Sequence, residues 1–184
     1  MDYSLLKNKA TLILGNNLSG KSKISKEINS YFYNSQIISI KNHSLFLFRK
    51  VYDELFLIKK ESNPLFDSLI KRSGFSKNYN SKTTHLSGGE KQLLQLFLSI
   101  KYDNNTFIFD DNLEMVSKRY KEIIYSTLKE HNKTIIVTDV KLPTYYKLFD
   151  KFYILRKEEL IDINGIENSL EDNLLESNHI YRER

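Results

Sequence analysis

Short unbroken apolar runs, each closed by polar or turn-forming residues, recur along the chain: Leu12-Ile13-Leu14, Ile37-Ile38-Ser39-Ile40, Phe107-Ile108-Phe109, Ile135-Ile136-Val137 and Phe152-Tyr153-Ile154-Leu155. Runs this short, with little polar alternation, suit strands buried on both faces. Between them apolar positions return at helical spacing, over Ser22–Tyr31, Val51–Ile58, Leu65–Arg72, Glu90–Tyr102 and Tyr120–Glu130. Such alternation predicts an α/β domain built on a mostly parallel sheet. From about His43 to Tyr102 helical patterns follow one another without a strand run, so a helical subdomain at about 43–102 is expected. The stretch Ile161-Asp162-Ile163-Asn164-Gly165-Ile166 carries an Asn-Gly turn signal. After Glu167 the pattern becomes polar. A domain over 1–166 with a frayed tail over 167–184 is the expected organisation.

Composition narrows this picture in three ways. A chain of 184 residues suits one domain. The absence of cysteine excludes disulfides, thiolate metal sites and thiol nucleophiles, and is compatible with a reducing cytosol. No basic start followed by an apolar stretch is present, and no apolar run approaches the roughly 18 residues of a membrane span, so a soluble chain is expected. The net charge of +5 is spread over the whole length rather than gathered in one block, which is weak support for a polyanion partner. Glycine is scarce, with six residues against an average usage of about 7%. Each therefore asks for a local reason.

Two of the six frame the first chemical motif. Leu12-Ile13-Leu14 runs into Gly15-Asn16-Asn17-Leu18-Ser19-Gly20-Lys21-Ser22, which matches the phosphate-loop pattern G-x-x-x-x-G-K-[ST] with a strand before it and a helix after it. Glycines let such a backbone curl into a nest of inward N–H groups, and the helix adds its positive end. Lys21 is expected to reach the β- and γ-phosphates, and the Ser22 hydroxyl to ligate Mg²⁺. The competing account is a glycine turn with a surface lysine.

The second motif is Leu86-Ser87-Gly88-Gly89-Glu90-Lys91-Gln92, leading into an apolar-periodic helix. Ser87 and Glu90 form a capping-box pattern. Two consecutive glycines go beyond what a cap requires, and they would let bare N–H groups approach an anion. Here the sequence resembles the ATP-binding cassette (ABC) family, whose signature is LSGGQ or a near variant. Phe107-Ile108-Phe109-Asp110-Asp111 then resembles that family's Walker B strand, with Asp110 at the position that holds Mg²⁺. The resemblance spans roughly Tyr3 to Ile166. It implies a P-loop NTPase fold, with ATP and Mg²⁺ as ligands, and a dimer in which the signature residues Ser87, Gly88, Gly89 and Glu90 cap the nucleotide on a second ABC subunit.

The chain also departs from the family pattern. Where the family carries a water-polarising glutamate, this sequence has Asp111, whose carboxylate is withdrawn by about 1.5 Å, and misplacement of about 1 Å can cost roughly 10²-fold in rate. Where the family carries the switch histidine, this sequence has Asp139, which cannot donate a hydrogen bond to a γ-phosphate when ionised and is read as a strand-end cap. The family's Mg²⁺-sensing glutamine has no clear counterpart: Gln36 lies at the wrong end of its strand, Asn42 is a shortened candidate, and His43 is read as a loop residue. The upstream strands and the adenine-stacking aromatic are expected to be absent, with Tyr3 too close to the loop to substitute. Hydrolysis, with Lys21 and Asp111 as the catalytic pair, is therefore expected to be slow, or asymmetric within a heterodimer.

As the resemblance implies, the leading expectation is the ATP-binding subunit of an ABC transporter, peripheral on the cytoplasmic face of the membrane and coupled to a separate polytopic membrane protein. Leu45-Phe46-Leu47-Phe48, Val51-Tyr52 and Leu55-Phe56-Leu57-Ile58 fall where such subunits receive the membrane protein; the plainer account makes them the helical lobe's own core. The alternatives are a soluble ABC ATPase acting on nucleic acid or ribosomes, or a non-hydrolysing regulatory nucleotide binder. The first lacks support, since long coiled coils and a second cassette are both missing from the sequence.

Overall fold

The structure, a computed structural model, describes residues 2–39, 46–57, 63–101, 104–110, 113 and 115–164. Each apolar run forms a strand at or close to the expected place. These are β1 (Ala10–Leu14), β2 (Ser35–Ser39), β3 (Thr106–Asp110), β4 (Thr134–Asp139) and β5 (Lys151–Arg156), joined by β6 (Glu159–Asp162). Among the described residues, five α-helices lie between them: α1 (Lys21–Tyr31), α2 (Val51–Phe56), α3 (Pro64–Ser73), α4 (Gly88–Ile100) and α5 (Lys118–Glu130). The sheet order is β2-β3-β4-β1-β5-β6, with every pair parallel except β5–β6.

Every residue of β1 and β3 is buried, as expected for central strands covered on both faces. One face presents Ala10, Leu12, Leu14, Phe107, Phe109, Ile135 and Val137 to a core completed by α2–α5, including Leu55, Phe66, Leu94, Phe97 and Tyr125. The opposite face presents Ile13, Ile108, Ile136 and Tyr153 to Ile24 and Ile28 of α1. Among the described residues, α1 covers one face together with Leu6, and the helices from between β2 and β3, together with α5, cover the other.

Among the described residues, the segment between β2 and β3 contains helices and one isolated antiparallel bridge, Lys50 to Lys82. Its apolar patch is divided. Val51 and Leu55 are buried, Phe46 and Phe56 pack half-buried on the core, and Leu47, Tyr52 and Leu57 are exposed. Buried Lys101 ties α2 to α4: its Nζ donates to the carbonyl of Leu55 and stands 4.8 Å from the Phe56 ring centre. Leu45 and Ile58 lie outside the described residues, as do Asn42, His43 and residues 165–184.

The expected Asn-Gly turn is not the hairpin turn. The β5–β6 hairpin closes at Lys157 and Glu158, both left-handed at φ 46° and 67°, with Arg156 opposite Glu159. These are the torsions of a two-residue turn that matches sheet twist. Asn164 instead accepts the Phe152 N–H at 2.9 Å, closing the chain beyond β6, and Gly165 lies outside the described residues. Gly74 ends α3 in the left-handed conformation, φ 65°, as a C-terminal glycine does.

Candidate nucleotide site

The glycine-rich loop leaves the carboxyl end of β1 at the middle of the sheet and enters α1 at Lys21. Gly15 donates its N–H to the Asp139 carbonyl at 3.0 Å, which ties the start of the loop to the end of β4. A Cβ at Gly15 would stand 2.5 Å from Ser19 Oγ and 3.3 Å from Leu155 Cβ, so a side chain there requires Ser19 to turn away and Leu155 to give. Gly20 caps α1 with φ 97°, another position that disfavours a side chain. Its carbonyl takes the N–H groups of Lys23 and Ile24, both at 2.9 Å, beginning the helix. The N–H groups preceding that turn have no carbonyl one turn earlier, which is the general condition for anion capture at a helix start.

Lys21 is buried, and its Nζ donates to the carbonyls of Gly15 at 2.9 Å and Asn16 at 3.0 Å. The ammonium is held by neutral oxygens inside the loop, so an entering anion meets a cation already in place. Ser19 Oγ is buried with no hydrogen-bond partner. An orphaned hydroxyl inside a loop of this kind is what a bound phosphate oxygen would satisfy. Asn16, Asn17 and Leu18 form the exposed outer arc and Ser22 is half-buried at the start of α1.

Asp110, buried at the end of β3, accepts a hydrogen bond from Thr138 Oγ1 of β4 at 3.2 Å and a long one from Ser25 Oγ of α1 at 3.5 Å. β4 stands between β3 and β1, so Thr138 positions the carboxylate on the loop's side of the sheet. Oxygen donors such as Asp110 and Ser22 suit Mg²⁺, which takes one or two protein oxygens and completes its shell with water and phosphate. Among the described residues no group of three or more His, Cys, Asp or Glu side chains could hold a metal alone. The donors fit an ion that arrives with a polyphosphate. Asp111 lies outside the described residues.

Asp139 ends β4, and its carboxylate accepts the N–H groups of Val140 at 2.6 Å and Lys141 at 3.3 Å. That is the strand-end cap expected of it. Gln36 lies in the first half of β2, paired with Phe107, and its amide oxygen accepts from Asn104 at 2.6 Å. Tyr3 packs on Tyr31 with ring centres 5.6 Å apart, at the far end of α1 from the loop. An 11-residue helix is about 16 Å long, so Tyr3 stands too far off to face a base at the loop.

The second motif folds as a capping box. Ser87 Oγ accepts the Glu90 N–H at 3.3 Å, Glu90 accepts the Ser87 N–H at 3.0 Å, and Asn78 donates to the other carboxylate oxygen at 3.1 Å. These bonds, led by that from the Ser87 N–H, hold the Glu90 carboxyl below the ordinary glutamate range. The glycines have a second reason that the sequence did not reveal. A Cβ on Gly89 would stand 2.5 Å from the Met115 carbonyl oxygen, and one on Gly88 would stand 2.8 Å from Met115 Sδ. The chain beyond β3 therefore lies against the start of α4, and bare backbone is needed for packing as well as for any anion.

No protein-family model matches the chain. Among solved structures, the cbiO1 protein of Clostridium perfringens, part of the ABC transporter complex cbiONQ, superposes with a TM-score of 0.70 at 17% identity, covering 93% of this chain and 83% of that one. The ADP conformation of MJ1267, an ATP-binding cassette of an ABC transporter, gives 0.66 at 18% identity, covering 97% and 89%. At these identities the likeness concerns the fold, which is that of the P-loop NTPases. Curated relatives carry the comparison into sequence. An uncharacterized ABC transporter ATP-binding protein of Methanocaldococcus jannaschii is 30% identical over 123 residues, 65% of this chain and 47% of its own length. A putative ABC transporter ATP-binding protein of Archaeoglobus fulgidus is 26% identical over 136 residues, 70% and 57%. The chain spans about half the length of these two relatives. In sequence it is similar to ABC transporter ATP-binding proteins, and in fold to ABC-type nucleotide-binding domains.

Proposed function

We propose that this chain is the ATP-binding subunit of an ABC transporter, binding Mg–ATP on residues 15–22 and coupling its binding and hydrolysis to a separate membrane protein. The observation that carries the reading is the phosphate loop itself: a buried lysine held on loop carbonyls, an orphaned serine hydroxyl, and a strand-end carboxylate fixed from β4. Bound phosphate oxygens would take over Lys21, and Asp110 with Ser22 would hold the metal that offsets their charge. That MJ1267 is known in an ADP conformation supports a nucleotide as the ligand.

In this reading Ser87, Gly88 and Gly89 complete the site on a second ABC subunit, while Glu90 holds their backbone in place through Ser87. Exposed Leu47, Tyr52 and Leu57 support a face that meets the membrane protein, and in this reading the subunit sits on the cytoplasmic side. Among the described residues no helix is long and apolar enough to cross a membrane. Turnover is slow, because an aspartate stands at position 111 and Asp139 is committed to its own turn.

Titrating the purified chain with Mg–ATP in a calorimeter, beside Lys21→Ala, tests the nucleotide reading. Saturable binding by the wild type and a loss of at least about tenfold in Lys21→Ala is expected for removal of a charged phosphate contact. Equal affinity in the two proteins would overturn it.

A further inference from the structure

The β5–β6 hairpin stands against the phosphate loop at two points, one on strand β5 and one in its turn. Leu155 Cβ lies 3.3 Å from the position of a Cβ on Gly15, and Glu158 Cγ lies 3.7 Å from that of a Cβ on Gly20. The left-handed pair Lys157 and Glu158 fixes the direction in which Glu158 leaves the hairpin. Its carboxylate pairs with the ammonium of Lys23, on the first turn of α1, and both side chains are more than half exposed. The hydrogen bond from Lys23 to Glu158, followed by the opposite charge, raises the Lys23 pKa. Glu27, one turn further on, also faces Lys23 but accepts the Tyr3 hydroxyl at 3.2 Å.

The arrangement sets a carboxylate beside the positive end of α1, at the rim of a loop whose other features suit an anion. An entering polyphosphate meets Glu158 as a like charge and Lys23 as an opposite one.

We propose that Lys23 is a further phosphate-binding cation of this site and that Glu158 holds it while the loop is empty, so that nucleotide and Glu158 compete for one ammonium. This rests on the nucleotide reading of residues 15–22. A cation withheld by an internal partner lowers the apparent affinity of its ligand, and removing that partner restores it.

Calorimetric titration of the full chain with Mg–ATP at fixed ionic strength tests the competition in five proteins: wild type, Glu158→Gln, Lys23→Met, the double variant and Lys21→Ala. Exposed pairs contribute little to stability, so the Glu158 and Lys23 variants should fold, and thermal melts check this. Glu158→Gln should bind about three- to tenfold tighter than wild type and Lys23→Met weaker by a similar factor. In the Lys23→Met background, Glu158→Gln should change affinity less than about twofold, because Glu158 acts through the missing ammonium. Wild-type affinity in Glu158→Gln, with binding still lost in Lys21→Ala, would overturn the competition and leave the nucleotide reading intact. A Glu158→Gln gain that persists undiminished without Lys23 would also overturn it, since simple repulsion would then suffice. Absence of binding in every protein would remove the nucleotide reading and this inference together.

Discussion

Leu18 is the residue whose backbone and side chain disagree most openly. It sits at the outer tip of the phosphate loop, fully exposed, with φ 69°. A left-handed conformation presses the Cβ of an ordinary residue against its own carbonyl, at a cost of roughly 1–2 kcal/mol. No burial offsets that cost here, because the side chain lies in water. Leu18→Gly should therefore raise stability by about 1 kcal/mol, allowing for the greater freedom of glycine in the unfolded chain. Urea unfolding would show this as a higher midpoint at unchanged slope. A lower midpoint would mean that the freedom glycine adds to the unfolded chain outweighs the strain at Leu18. Lys21 shows the opposite condition at the inner wall of the same loop, where the sequence and the geometry agree: the motif names the lysine, and the fold buries it against the Gly15 and Asn16 carbonyls.

At the scale of elements, the start of α4 carries two demands, and substitution can separate them. At Gly88 an added methyl meets Met115 Sδ, the far end of an adaptable side chain, whereas at Gly89 it meets the Met115 carbonyl oxygen. A thioether can swing aside, but moving the backbone displaces the chain that follows β3. Gly89→Ala should thus cost about 1–3 kcal/mol while Gly88→Ala stays within about 0.5 kcal/mol of wild type, and thermal melts of the two variants would check the contrast. Met115 also marks a limit of sequence reading. The strands were legible because buried parallel strands have their own pattern, and the loop because its chemistry fixes both spacing and residue types. Contacts made by backbone distant in sequence leave no such mark. The hairpin turn left no mark for a related reason: Lys157 and Glu158 take torsions usually supplied by asparagine and glycine, while Asn164 is engaged with Phe152.

At the scale of the whole molecule, the phosphate loop and the signature helix belong, in the proposed function, to different sites of an assembly, and this division has a genetic consequence. The loop ends β1, whereas α4 runs into β3, and the start of α4 rests on the chain beyond β3. If the second ABC subunit is another copy of this chain, damage to the two motifs should complement across copies. Lys21→Ala spoils the loop and leaves the signature; Ser87→Glu sets a negative charge where phosphate would meet the signature and leaves the loop. Neither alone should turn over ATP. Mixed in equal amounts, half the dimers pair one of each, and each pair holds one intact site of two, so about a quarter of wild-type turnover should return. A phosphate-release assay on the mixture would measure it. Turnover near zero in the mixture, beside an active wild type, would show that loop and signature act within one chain or fail together, and would remove the reciprocal dimer.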